Sequence, residues 1–215
     1  MPKETNMSKP LLALALMTTP ALAQLPAPVI DNARVTVRDI HLEPGKPGPA
    51  IPHAGYFAVL YFDGGRIRIA DGHTLTHPAG DAVTRRGGVT RDTALGAPSR
   101  EIVVELKDAP SNTVPNTTGL PPAFPREGSK LVLETPKVRV WNYAWVPGKP
   151  TVMHFHDTEV VVAYRGDGDI TSTDPAGKAA TSHRATGDIV YNLANRAHAE
   201  ALVKGEVSGV MLELK

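Results

Sequence analysis

Two histidines one residue apart, His154 and His156, lie in the stretch PGKPTVMHFHDTEVVVAYRG (Pro147 to Gly166). The valines at 160, 161 and 162 that follow predict a strand. Alternate side chains of a strand share a face, so an HxH pair there presents both imidazoles on one side. Neutral imidazole is a good ligand for Zn, Cu, Fe and Ni, and two held this way are half of a metal site. A third ligand has to come from elsewhere, and the best candidate is His198, in GDIVYNLANRAHAE (Gly187 to Glu200). Glu200 lies two residues further on, so on a strand it shares a face with His198. It could move a proton as a catalytic carboxylate or hold the outer N–H of a ligand histidine, or it could be a charge on a solvated face.

The full pattern is Gly148, His154, His156, Glu159 and Gly166, then Gly187 and His198. It resembles the two motifs of the cupin family. That resemblance implies a small β-barrel in which His154, His156, Glu159 and His198 converge on one divalent transition metal, with Fe, Mn, Ni, Zn and Cu all admissible. Two features differ from the usual pattern. Only two residues separate His156 from Glu159 where the family has three or four, so Asp157 stands as an alternative carboxylate ligand. Leu193 and Asn195 occupy the usual Pro and Gly of the second motif, and Asn is one of the few residues that tolerates a left-handed turn.

The elements that must position these residues are short strands. Among 215 residues there are 19 Gly and 20 Pro, a balance that favours turns and strands over long helices, and no helical period stands out beyond the N-terminus. Lys130 to Glu134 and Lys137 to Val146 read as strands, and Pro147-Gly148 as the turn into the histidine pair. Gly166 to Asp169 reads as a hairpin turn, leading to short strands at 169–172 and 180–184 around Pro175-Ala176-Gly177. Gly187-Asp188 is another turn, followed by strands at 189–192, 197–203 and 209–214. Trp141, Tyr143, Trp145, Tyr164 and Tyr191 could line a pocket or simply fill the core.

The first half repeats the second in degraded form. ARVTVRDIHLEPGKP, from Ala33, aligns with PKVRVWNYAWVPGKP, from Pro136, and FAVLYFDGG, from Phe57, with VVVAYRGDG, from Val160. At that offset His53 falls on His156, but Ile51 falls on His154 and Tyr56 on Glu159, and residues 85–99 contain no histidine. The organisation expected is all-β: two tandem cupin-type barrels (double-stranded β-helix, or jelly roll) after an N-terminal signal peptide. Residues 24–107 form the half without metal ligands, 108–129 a Pro-rich irregular linker, and 130–215 the metal-binding half. The first half is expected to cover an edge or face of the second. His41, His73, His77 and His183 read as exposed or turn residues.

Residues 1–23 carry Lys3 and Lys9, then an apolar run from Leu11 to Met17, and end in Ala21-Leu22-Ala23. This is the pattern of a secretory signal peptide cleaved before Gln24, and the run is too short for a permanent membrane anchor. Cleavage removes two of 23 basic and one of 22 acidic residues, leaving a neutral chain with no basic field for nucleic acid. The absence of cysteine excludes disulfides and thiolate ligands. The location expected is the periplasm or the extracellular medium. The partner expected is a small molecule, and pairing through sheet edges would make a homodimer. Three imidazoles and at most one carboxylate leave coordination positions open, which suits an oxygenase, lyase or isomerase, with Glu159 and Glu200 as the candidate catalytic acid–base carboxylates. A non-enzymatic binding or sensing protein is the alternative.

Overall fold

The computed structural model describes residues 25–215; the segment read as a signal peptide, residues 1–23, lies outside them. The described chain is built from β-strands without a helix. The first unit contains β1 (Ile30–Asp31), β2 (Val35–Leu42), β3 (Ile51–Tyr61), β4 (Gly65–Arg68), β5 (Thr74–His77), β6 (Asp81–Thr90), β7 (Thr93–Leu95) and β8 (Ser99–Leu106). They form a five-stranded sheet in the order β1-β2-β8-β3-β6 and a three-stranded sheet in the order β5-β4-β7. The second unit contains β9 (Lys130–Glu134), β10 (Val138–Ala144), β11 (His154–His156), β12 (Glu159–Thr173), β13 (Ala179–Arg184), β14 (Ile189–Asn192) and β15 (Arg196–Leu214). Its sheet runs β13-β12-β15-β10-β9, with β11 added to β15 and β14 to β12.

The continuous apolar runs follow from strands buried on both faces. In β12, Val161 and Ala163 point to a core shared by the two units, whereas Val160, Val162 and Tyr164 point to the interior of the second unit alone. β3 divides in the same way, with Ala58 and Leu60 shared and Phe57, Val59 and Tyr61 facing the first unit's own interior. The shared core joins Val35, Val37, Ile102 and Val104 to Val138, Val140, Val210 and Leu212, all with essentially no exposure. The first half thus covers a sheet face of the second.

Two expectations need correction. Gly166 to Asp169 is not a hairpin turn: β12 runs through it, and β15 is likewise one strand of 19 residues rather than two short ones. The glycines are there because the two backbones press together. A side chain on Gly166 would collide with the Glu206 carbonyl, and one on Gly205 with the Asp167 carbonyl. Both glycines have positive φ, at 84° and 74°, and glycine inside a strand commonly marks such an approach. His77 is also not exposed. It is buried, stacks on Tyr61 with ring centroids 3.6 Å apart, and bonds Asp81 through Nδ1 at 2.7 Å.

Residues 108–129 form no strand, but they are anchored to the second unit. Val114 donates to the Asp157 carbonyl, Phe155 to the Pro121 carbonyl and Ala123 to the Phe155 carbonyl. Phe124 is buried and stacks on Trp141.

Candidate metal centre

β11 pairs antiparallel with the start of β15, and the register sets His154 directly opposite His198 and His156 opposite Arg196. The Asn195 turn, at φ 59°, delivers the chain into β15; it is the one non-glycine residue with positive φ among those described. The three imidazoles converge: one ring nitrogen from each of His154, His156 and His198 lies within 4.8 Å of the others. The ring centroids are 4.7 to 5.1 Å apart and the rings stand edge-on to one another. All three are buried. The Nδ1 of His154 donates to the Val152 carbonyl at 2.8 Å, which puts its lone pair on Nε2, where Arg126 Nη1 stands at 3.3 Å. The Nε2 atoms of His156 and His198 are 3.2 Å apart.

These residues fit a metal ion. Two nitrogens bound to one ion at ~2.1 Å stand about 3 Å apart, the separation already present between His156 and His198. Burial disfavours the imidazolium form, pushing His156 down to about 2 and His198 down to about 4, and lowering His154 as well. All three are therefore neutral at pH 7, the form that ligates.

The carboxylate at the cluster is Glu200. Its Oε1 is 3.8 Å from the Nε2 of His198. Oε2 accepts from Trp145 Nε1 at 3.1 Å and from Arg126 Nη1 at 3.2 Å. Burial pushes this carboxyl up, but the Arg126 guanidinium foremost, with the Trp145 hydrogen bond, holds it below the ordinary range. Glu159 and Asp157 take no part in the cluster. Val160 faces the unit's interior, so Glu159, one residue earlier, faces the other unit. There it pairs with Arg34 Nε at 2.9 Å and accepts from Asn112 at 3.0 Å. Asp157 lies between β11 and β12 and is likewise outside the cluster.

Of the aromatic residues, Trp145 and Tyr164 line a small internal cavity with His156 and Glu200. Tyr143 lines a larger cavity, of about 270 Å³, beside His154. Trp141 instead donates to Glu213 in the core. Tyr191 lies on the Glu159 side, packed against the shared core. Arg126 was not legible as a site residue. It sits in a strandless Pro-rich segment, and its only local signal is the buried Phe124 two residues earlier.

The first unit has the same register without the ligands. In β3 and β6, Ile51 lies opposite Thr90 and His53 opposite Gly88, so Thr90 takes the place of His198. His53 bonds Thr90 at 3.0 Å, and the Phe57 ring stacks on it at 3.7 Å and fills the space. Two residues past Thr90, as Glu200 is two past His198, Asp92 is buried with neither carboxylate oxygen partnered.

The order of strands, the duplicated register and the histidine triad decide the architecture. The fold is that of a bicupin. No protein-family model matches the sequence, and no curated protein does. Solved structures do. A cupin 2 conserved barrel domain protein from Leptotrichia buccalis is 16% identical, with 87% of each chain covered and a TM-score of 0.53. Oxalate decarboxylase from Lactobacillus farciminis, in a formate complex, is 13% identical over 86% of this chain and 78% of that one, with a TM-score of 0.59. A mutant of Bacillus subtilis oxalate decarboxylase is 14% identical over 86% and 70%, with a TM-score of 0.57. At these identities the likeness concerns the bicupin fold, and the reaction has to be argued from the site.

Proposed function

We propose that both units are closed cupin-type barrels and that the second holds one divalent transition metal on His154, His156 and His198. The protein is then a metal-dependent enzyme acting on a small polar metabolite, by oxygenase, lyase or isomerase chemistry, in the periplasm or outside the cell. The observation that carries this reading is the buried triangle of three neutral imidazoles with one carboxylate beside it. Three protein nitrogens leave open positions, where a bound ion would supply Lewis acidity or activate water or dioxygen. The chain's own groups do the rest. Glu200, ionised and held by Arg126 and Trp145, is placed to take a proton at Oε1 from a ligand beside His198. Trp145 and Tyr164 give the small cavity beside Glu200 an aromatic wall.

Elemental analysis of untagged protein should find one transition metal per chain, and none after His156→Ala. Protein that neither carries nor takes up metal would remove this function. Iron would direct substrate screening to oxygen-consuming reactions, and zinc or nickel to lysis and isomerisation. Metabolites that raise the melting temperature without being turned over would mark a binding protein instead.

A further inference from the structure

We infer that the interior of the first unit holds a hard divalent cation, calcium or magnesium, on the Asp92 carboxylate. Asp92 is 3% exposed, and neither of its oxygens has a hydrogen-bond partner; the Ala70 and Arg91 amides lie nearby without completing a bond. Three further buried atoms in this interior are also unpartnered: Glu101 Oε1, Tyr61 Oη and His77 Nε2. Each such group carries a desolvation cost until something pairs with it. The sheet register gathers them. Tyr61 of β3 lies directly opposite Glu101 of β8 and Asp81 of β6, and directly opposed residues share a sheet face. The His77 ring stacks on Tyr61, and Asp92 lies close enough to act on the charge of Tyr61 and Glu101. His77 donates from Nδ1 to Asp81 Oδ2 at 2.7 Å, which puts its lone pair on the buried Nε2. A carboxylate behind an imidazole in this way is how histidines are oriented toward a metal or its bound water.

Charge argues for a cation rather than for water alone. Asp81, Asp92 and Glu101 set three carboxylates against the half-buried guanidinium of Arg85, which acts on both Asp92 and Glu101. Water would satisfy hydrogen bonds there, but an ion also balances the charge. Carboxylate and water oxygens select hard ions. Among the described residues, three ligating atoms of His, Asp or Glu come within 4.8 Å of one another only at the histidine centre. His77, Asp92 and Glu101 therefore do not grip one ion directly together. The ion sits on Asp92 and keeps water, whose hydrogens satisfy Glu101 Oε1 and His77 Nε2. The positions that match the histidine triad, held here by Ile51, His53 and Thr90, take no part, so the inference is independent of the metal centre in the second unit. The Asp81 side chain, 29% exposed, leads from solvent to His77.

The test uses the full chain, stripped with EDTA and dialysed, then titrated calorimetrically and melted with calcium, magnesium or, at matched ionic strength, sodium chloride. One divalent ion should bind per chain and raise the melting temperature by roughly 5 °C or more at a hundredfold excess over its Kd; the tighter of the two identifies the ion. Asp92→Asn should abolish the response while raising the melting temperature of the ion-free protein, because it removes a buried charge. Glu101→Gln should weaken binding about tenfold, as loss of an outer partner does. His156→Ala should leave the response intact. Shifts no larger than those of sodium chloride, a response that survives Asp92→Asn, or one that is lost in His156→Ala would each overturn the inference. If Asp92→Asn fails to fold, the affinity of Glu101→Gln decides: binding as tight as in the unaltered protein sinks the site.

Discussion

Glu101 gives the most direct test of the first unit's interior. It sits in β8 opposite Tyr61 of β3 and Ile40 of β2, facing inward with Val103, and is 2% exposed. Its Oε1 has no partner. Burial, reinforced by the nearby Asp92 and only partly offset by Arg85, pushes its carboxyl up from 4.5 to about 8. The sign follows from linkage. A carboxyl whose folded value is raised opposes folding as it ionises, so its penalty is absent below pH 4.5, grows between pH 4.5 and 8, and is constant above. Each pH unit in that window is worth about 1.4 kcal/mol, so the full penalty approaches about 5 kcal/mol. Glu101→Gln keeps the shape and cannot ionise. Urea unfolding of both proteins at pH 5 and pH 9 is the assay. The variant should match the parent within ~1 kcal/mol at pH 5 and exceed it by several kcal/mol at pH 9. Because Asp92 and every other titrating group are present in both proteins, the difference largely isolates Glu101. A stability difference that stays constant from pH 5 to 9 would refute the reasoning.

Glu159→Gln should lower stability by about 1–3 kcal/mol, because it removes the carboxylate charge opposite Arg34 while the Ala109 and Pro110 carbonyls still accept from the guanidinium, and metal content measured by elemental analysis stays unchanged; loss of the metal would reinstate Glu159 as a ligand. Gly166→Ala should destabilise by ~2 kcal/mol or more, read as a fall in melting temperature, since it adds strain at positive φ to a collision with the Glu206 carbonyl. The combined changes Ile51→His, Phe57→Val and Thr90→His, with native His53, should raise metal content from one ion per chain to two. Content fixed at one would mean that the two units match in backbone register alone.

What could be read in the sequence was what depends on local period. The histidine pair, its partner His198, the Asn195 turn and the repeat all rest on spacing along strands. The errors came where spacing says nothing about what lies across from it. Glu159 matched a motif by residue type, but strand parity turned it toward Arg34. Gly166 and Gly168 look like a turn until β15 is laid against them, when close approach of the backbones explains both. His77 is ordinary in sequence, and its burial shows only once Tyr61 is stacked on it and Asp81 bonded to it. Arg126 reaches the histidines through a segment with no period at all, held by three backbone hydrogen bonds to Phe155 and Asp157.

The valine-lined seam between the units has a consequence for how this chain can change over time. A fragment ending near residue 107, or one starting near 130, would bare one wall of that seam to water and invite clumping. The half without ligands has therefore not become dispensable by losing chemistry. Its descendants are free to vary in their own interior, but the residues along the seam are tied to those of the other half, so the two must be inherited, expressed and altered together.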